Sequence, residues 1–138
     1  MHLSAKTQYA TLALLELAKR YEQPQPVCLK TIANEHTISP QFLVQILQQL
    51  KRAGMVKSTR GSSGGYRLAQ EPDQISLLDI VTAMESAPQD SISSRSPTAQ
   101  SFLAIWNGIT EAHHQRLSQT TLETVCSAME SQQDMYYI

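Results

Sequence analysis

Arg60-Gly61-Ser62-Ser63-Gly64-Gly65-Tyr66-Arg67-Leu68 decides how this chain reads. It follows an amphipathic segment that opens Ser39-Pro40 and closes Ala53-Gly54. A helix, a strand, a glycine-rich turn between basic residues and a second strand make a helix-turn-helix with a β-wing. The glycines let the turn take backbone angles closed to other residues. The flanking arginines suit a phosphate-lined groove. A glycine-rich loop can instead cradle a nucleotide phosphate, but no Gly-Lys-Ser/Thr follows here, and the loop leads into a strand.

The segment before the wing is the candidate recognition helix. Ser39 is placed to cap it and Pro40 to fill its first position. Leu43, Ile46, Leu47 and Leu50 form the buried stripe. The opposite face carries Gln41, Val44, Gln45, Gln48 and Arg52. An ordinary solvated face would carry Glu and Lys. Uncharged amides with no acid fit better against DNA, where glutamine pairs with the edge of adenine. Val44, read as exposed, either meets a thymine methyl or is simply tolerated.

Towards the N-terminus, apolar residues recur at helical spacing from about Ser4 to Tyr21, with Ser4 as the cap. Glu22-Gln23-Pro24-Gln25-Pro26 ends that helix. A second, about Leu29 to Glu35, is expected to bury Leu29, Ile32 and Ala33, and His36-Thr37-Ile38 makes the turn. Beyond the wing, Glu71-Pro72-Asp73 closes the unit. Ser76 starts a helix with Leu77, Ile80, Val81 and Met84 inward and Asp79 in its first turn. Ala87 to Gln100, rich in serine, is expected as a loop. A long helix from about Thr98 to Leu117 carries Phe102, Ile105, Trp106, Ile109 and His113 on one stripe. So small a domain has little core left to cover that stripe, and a second copy would bury it most economically. Thr120 with Glu123 reads as a capping box for a last helix, with Leu122, Val125, Cys126 and Met129 inward.

The expected architecture is therefore mainly α with a small β-wing. Residues 1–86 are a winged-helix DNA-binding domain, 87–97 a loop, and 98–138 a dimerisation helix and a C-terminal helix. The chain has 138 residues, 41% hydrophobic and 6% aromatic, so its core must be mostly aliphatic. A net charge of −1 hides a polarity. Residues 1–70 hold nine Lys/Arg against three Glu, a net of +6. Residues 71–138 hold two Arg against nine acids, a net of −7. The half that can meet a polyanion is the half with the wing. No run of eighteen apolar residues and no leader is seen, so a cytoplasmic protein without a membrane partner is expected.

Cys28 and Cys126 are too few for a disulfide framework. Cys28 opens a helix, where the dipole lowers a thiol pKa, which makes it a candidate redox thiol. A small buried filler is the preferred reading of that residue, and Cys126 shares an inward stripe. His113 and His114 face differently on their helix and have no HExxH or CxxC beside them, so no metal is assigned. No nucleophile elbow or dinucleotide fingerprint appears, and no enzyme is expected.

Several pieces taken together resemble the Rrf-two family of bacterial winged-helix regulators. They are Leu3-Ser4-x-Lys6-x-x-Tyr9-Ala10, Leu29-Lys30-x-Ile32-Ala33, Ile38-Ser39-Pro40-x-x-Leu43, Leu50-x-x-Ala53-Gly54-x-Val56 and Arg60-Gly61-x-x-Gly64-Gly65-Tyr66-x-Leu68. The resemblance is close over about residues 1–86 and looser beyond. It implies a homodimer bound to double-stranded DNA at a dyad-related promoter site, with long C-terminal helices crossing between subunits. It implies Gln41 and Gln45 as major-groove readers and Arg60 as the minor-groove residue. Ser39, Lys51, Arg52, Ser58, Thr59 and Gly64 would then lie along phosphates. Val44 departs from an acidic residue that some members carry there. Members with an iron–sulfur cluster place three cysteines in the loop before the long helix. Here residues 87–97 hold serines and no cysteine, and serine is a poor ligand for such a centre. The expectation is no cofactor, with an atypically ligated cluster as the alternative. A winged helix used only to bind protein is the other alternative. No small-molecule or protein effector can be named from the sequence.

Overall fold

The structure is a computed structural model, and it describes residues 2–85 and 92–136. Helix α1 spans Ala5–Lys19, and the Ser4 hydroxyl accepts from the Thr7 N–H at 3.2 Å. Helix α2 spans Leu29–His36 and ends at Thr37, whose φ of 52° turns the chain left-handed between the two helices of the motif. Helix α3 spans Pro40–Arg52; the Ser39 hydroxyl accepts from the Phe42 N–H at 3.2 Å, with Pro40 in the first turn. Ser-Pro gives this helix both an acceptor for an orphan donor and a pre-set φ.

Strands β1 (Val56–Thr59) and β2 (Gly65–Leu68) pair antiparallel, Val56 opposite Leu68 and Thr59 opposite Gly65. A 3-10 turn over Pro72–Gln74 leads into α4, Leu77–Met84, opened by a capping box between Ser76 and Asp79. Helix α5 spans Pro97–Gln119 and α6 spans Leu122–Tyr136.

The core sits where α1, α2, α3 and α4 meet. Leu14, Leu17, Ile32, Leu43, Ile46, Leu47, Leu50, Ile75 and Ile80 are fully buried there. Each such side chain contributes about 1.5–3 kcal/mol of burial. Leu122 joins the same core, so α6 folds back on α1 and the 3-10 turn. Leu29 and Val44 are half-buried; the first was expected inside and the second outside.

Three local expectations need correction. Helix α5 starts at Pro97, capped by Ser96, so the loop expected to Gln100 stops earlier; residues 87–91 of it lie outside the described residues. The cap of α6 is Thr121, whose hydroxyl accepts from the Thr124 N–H at 3.2 Å, and not a Thr120–Glu123 pair. The cause is non-local. Leu77 N–H donates to the Thr120 carbonyl at 2.8 Å and Leu122 N–H to the Ile75 carbonyl at 3.0 Å. This bridge holds Thr120 extended and starts the helix one residue later.

The wing glycines are the third correction. Only Gly61 in the turn has a positive φ, 107°. Gly64 and Gly65 are needed for close approach instead. A Cβ on Gly64 would lie 2.2 Å from the Thr59 carbonyl oxygen, and one on Gly65 2.3 Å from that of Val27. Val27 pairs with Tyr66 through two backbone bonds of 2.9 and 2.8 Å. The α1–α2 connection thus bridges, by one residue, the free edge of β2 close to the turn.

Candidate nucleic-acid interface

Burial of Leu43, Ile46, Leu47 and Leu50 turns the opposite side of α3 to solvent. Gln41, Gln45, Gln48, Lys51 and Arg52 are exposed there, with Val44 half-buried between them. Lys57, Ser58, Thr59 and Arg60 are exposed along β1 and into the turn, and Gly64 is half-buried. Helix and wing are joined at this surface by Lys51, whose Nζ donates to the Ser58 hydroxyl at 2.8 Å. The sequence-derived candidates from Ser39 to Gly64 therefore fall on two adjoining elements. No acid occurs between Glu35 and Glu71, so nothing on either element repels a phosphate.

Arg67 behaves differently from what its place beside the turn suggested. Its guanidinium donates to the carbonyls of Gln23 and Pro24 at 2.7 and 2.6 Å. It clamps the wing to the α1–α2 connection rather than facing a phosphate groove.

A charged cluster between α1 and α2 was missed in the sequence. Glu16 is only 3% exposed. Its carboxylate accepts from Lys19 at 3.2 Å, from Arg20, and faces His36 Nε2 at 3.1 Å. Burial pushes the Glu16 carboxyl up, but the hydrogen bonds and charges of Arg20 and Lys19 outweigh it and hold it below the usual carboxylate range. The pair with His36 fastens the end of α2 to α1. An acid inside an apolar helix stripe, with Lys and Arg three and four residues on, was the available signal.

Cys28 is exposed, which corrects the buried-filler reading. It is the N-terminal flanking residue of α2, and its sulfur lies 3.0 Å from the Thr31 hydroxyl. That hydrogen bond, then those from the Thr31 and Lys30 backbone, hold its thiol below the ordinary range. Cys126 is half-buried on α6, and burial, then Glu123 and Glu130, push its thiol up. On α5, Phe102, Ile105, Trp106, Ile109 and His113 are all exposed, and no residue of the helix is buried.

The donor set does not fit a three-cysteine iron–sulfur cluster. One thiol precedes α2 and the other sits on α6, and among the described residues no group of three or more His, Cys, Asp or Glu side chains could hold a metal ion. Among those residues, too, no helix is long and apolar enough to cross a membrane.

The fold and the acid-free helix–wing surface define a DNA-binding winged helix-turn-helix protein. The family model Rrf2, "Iron-dependent Transcriptional regulator", matches residues 3–128, and the chain belongs to that family. Its members are regulators of transcription, not enzymes. The chain is 35% identical to the HTH-type transcriptional regulator CymR of Bacillus subtilis over 99% of this chain and 97% of that one. The solved structure of that protein, described as the global cysteine regulator of its organism, superposes with a TM-score of 0.82 at 35% identity over 93% of this chain and 98% of that one. The IscR structure from T. potens gives a TM-score of 0.80 at 31% identity, covering 99% and 97%. The oxidised form of Staphylococcus aureus CymR gives 0.77 at 32% identity, covering 91% and 96%. The chain spans about half the length of further relatives named IscR, 51% of the Aliivibrio salmonicida protein.

Proposed function

We propose that this protein regulates transcription as a homodimer bound to a dyad-symmetric promoter site. Each α3 enters a major groove, where Gln41 and Gln45 read base edges and Val44 meets a thymine methyl. Arg60 reaches the adjacent minor groove, and Ser39, Lys51, Arg52, Ser58, Thr59 and Gly64 track phosphates. The observation that carries the reading is the Lys51–Ser58 bond at 2.8 Å, which supports helix and wing as one rigid, acid-free surface.

The protein acts without a three-cysteine cluster. Its signal enters through Cys28, an exposed thiol lowered below its ordinary range, or through an effector bound by the dimer. That Staphylococcus aureus CymR has been solved in an oxidised form supports redox chemistry in a relative of similar fold.

The test is a gel-shift series on genomic fragments selected by the protein itself. Binding should fall steeply with salt, about −0.9 in log–log slope per neutralised phosphate. Gln45→Ala should cost about 1–3 kcal/mol per half-site on the selected sequence and relax preference at one position. Salt-independent binding, or full selectivity in that variant, overturns the reading.

A further inference from the structure

Three glutamines of α3, Gln41, Gln45 and Gln48, stand in solvent, but Gln49 is half-buried. Its side-chain amide nitrogen donates to the Ala83 carbonyl at 2.9 Å. Ala83 lies in the last turn of α4, where carbonyls have no partner further along the helix. The bond therefore satisfies an orphan acceptor, and it also ties α3 to the end of α4.

That end is fastened on another side as well. Glu85, the residue that closes α4, accepts from the Ser4 N–H at 2.9 Å and from the Thr7 hydroxyl at 2.7 Å. Thr7 is fully buried. The start of α1, the C-terminal half of α3 and the end of α4 thus meet at one polar joint. Helix α4 also carries α5 on its surface.

We infer that Gln49 is a positioning residue for DNA recognition: its amide, anchored on the end of α4, sets the roll at which α3 presents Gln41 and Gln45. This rests on the reading of α3 as the groove-entering helix. The Lys51–Ser58 bond ties α3 to the wing but not to the helices behind it, where its anchors Leu43, Ile46, Leu47 and Leu50 are apolar and apolar burial is non-directional. A hydrogen bond is directional and tolerates only a few tenths of an ångström. Side-chain tips lie about 5–6 Å from a helix axis, so a roll of about 10° moves them about 1 Å. That displacement breaks an amide–adenine pair but leaves phosphate contacts within reach. Loss of the Gln49 tether should therefore lower specific binding and spare non-specific binding.

The experiment compares Gln49→Met, which keeps length and removes the donor, with Gln49→Lys, which restores a donor, and with Gln45→Ala. Each full-length variant is titrated against the protein's selected DNA site and against an unrelated duplex of equal length. Unfolding midpoint and salt slope are measured alongside. Gln49→Met should lose about threefold in specific-to-non-specific ratio per protomer, about tenfold for a dimer, from one directional bond. The salt slope should not change. Gln49→Lys should recover most of the ratio, because its added charge raises both affinities together. A merely structural role would lower the midpoint and both affinities in parallel and would overturn the inference. So would a Gln49→Met protein with the wild-type ratio while Gln45→Ala loses its own. If Gln45→Ala also keeps the wild-type ratio, the reading of α3 as the base-reading helix fails with it. Should Gln49→Met not fold, Gln49→Glu, which keeps the shape and removes the donor, takes its place: loss of the ratio supports the inference and a wild-type ratio overturns it.

Discussion

Cys28 and Cys126 carry the same group in opposite surroundings. Thr31 and the first turn of α2 stabilise the thiolate of Cys28, whereas burial and two carboxylates disfavour that of Cys126. The thiolate is the nucleophile, so Cys28 should alkylate about tenfold faster than Cys126 at neutral pH. Peptide mass spectrometry after limiting iodoacetamide measures this, and Thr31→Val should slow Cys28 selectively. Equal rates at the two thiols would contradict it. Glu16 makes a second prediction at this scale. Its folded pKa lies below the ordinary 4.5, so it contributes stability above that pH and loses it as the pH falls through the folded value. Glu16→Gln leaves Arg20 and His36 short of an acceptor and should cost about 1–3 kcal/mol at pH 7. Denaturant titrations should find that difference shrinking as the pH falls below the ordinary 4.5 and through the folded value. A difference that grows in acid would reverse the assigned sign.

At the scale of elements, the wing depends on glycine for two separate reasons. Gly61 needs its positive φ, while Gly64 and Gly65 need the absence of a Cβ. Gly65→Ala must push Val27 away and break its bridge to Tyr66, at about 1–3 kcal/mol. Gly61→Ala has open space and meets only backbone strain, about 1–2 kcal/mol. Thermal midpoints should rank Gly65→Ala below Gly61→Ala, and Gly65→Ala should also weaken DNA binding. The opposite ranking would show that the turn, not the pairing of β2 with Val27, limits the wing. The same contrast explains what the sequence reveals. Ser4, Ser39-Pro40 and Ser76–Asp79 mark helix starts through partners three residues away, so their signals are local. Arg67 and Gln49 bond to partners brought in by the fold, Gln23, Pro24 and Ala83, and the start of α6 is set by the distant Leu122–Ile75 and Leu77–Thr120 bonds. No periodicity records those. The solvent-facing stripe of α3 was legible because burial of Leu43, Ile46, Leu47 and Leu50 dictates which side is left outside.

Across the whole molecule, α5 is the element whose exposure is hardest to reconcile with a lone chain. Phe102, Ile105, Trp106 and Ile109 are each more than half exposed, at 55%, 67%, 53% and 55%. Phe102 stacks on Trp106 at 6.2 Å, which joins the stripe into one surface. A contiguous apolar patch of this kind suits the subunit interface proposed above. None of it supports the core, because no residue of α5 is buried. Trp106→Asp should therefore separate assembly from folding. Sedimentation should find a dimer for the wild type and a monomer for the variant, with the helical circular-dichroism signal preserved. The unfolding midpoint of a dimer rises with protein concentration, by the equivalent of about 1.4 kcal/mol per tenfold. That dependence should vanish in Trp106→Asp. Binding to a full dyad site should drop toward that of a single half-site, because the linked second contact is gone. A variant that remains dimeric would move the subunit interface away from α5.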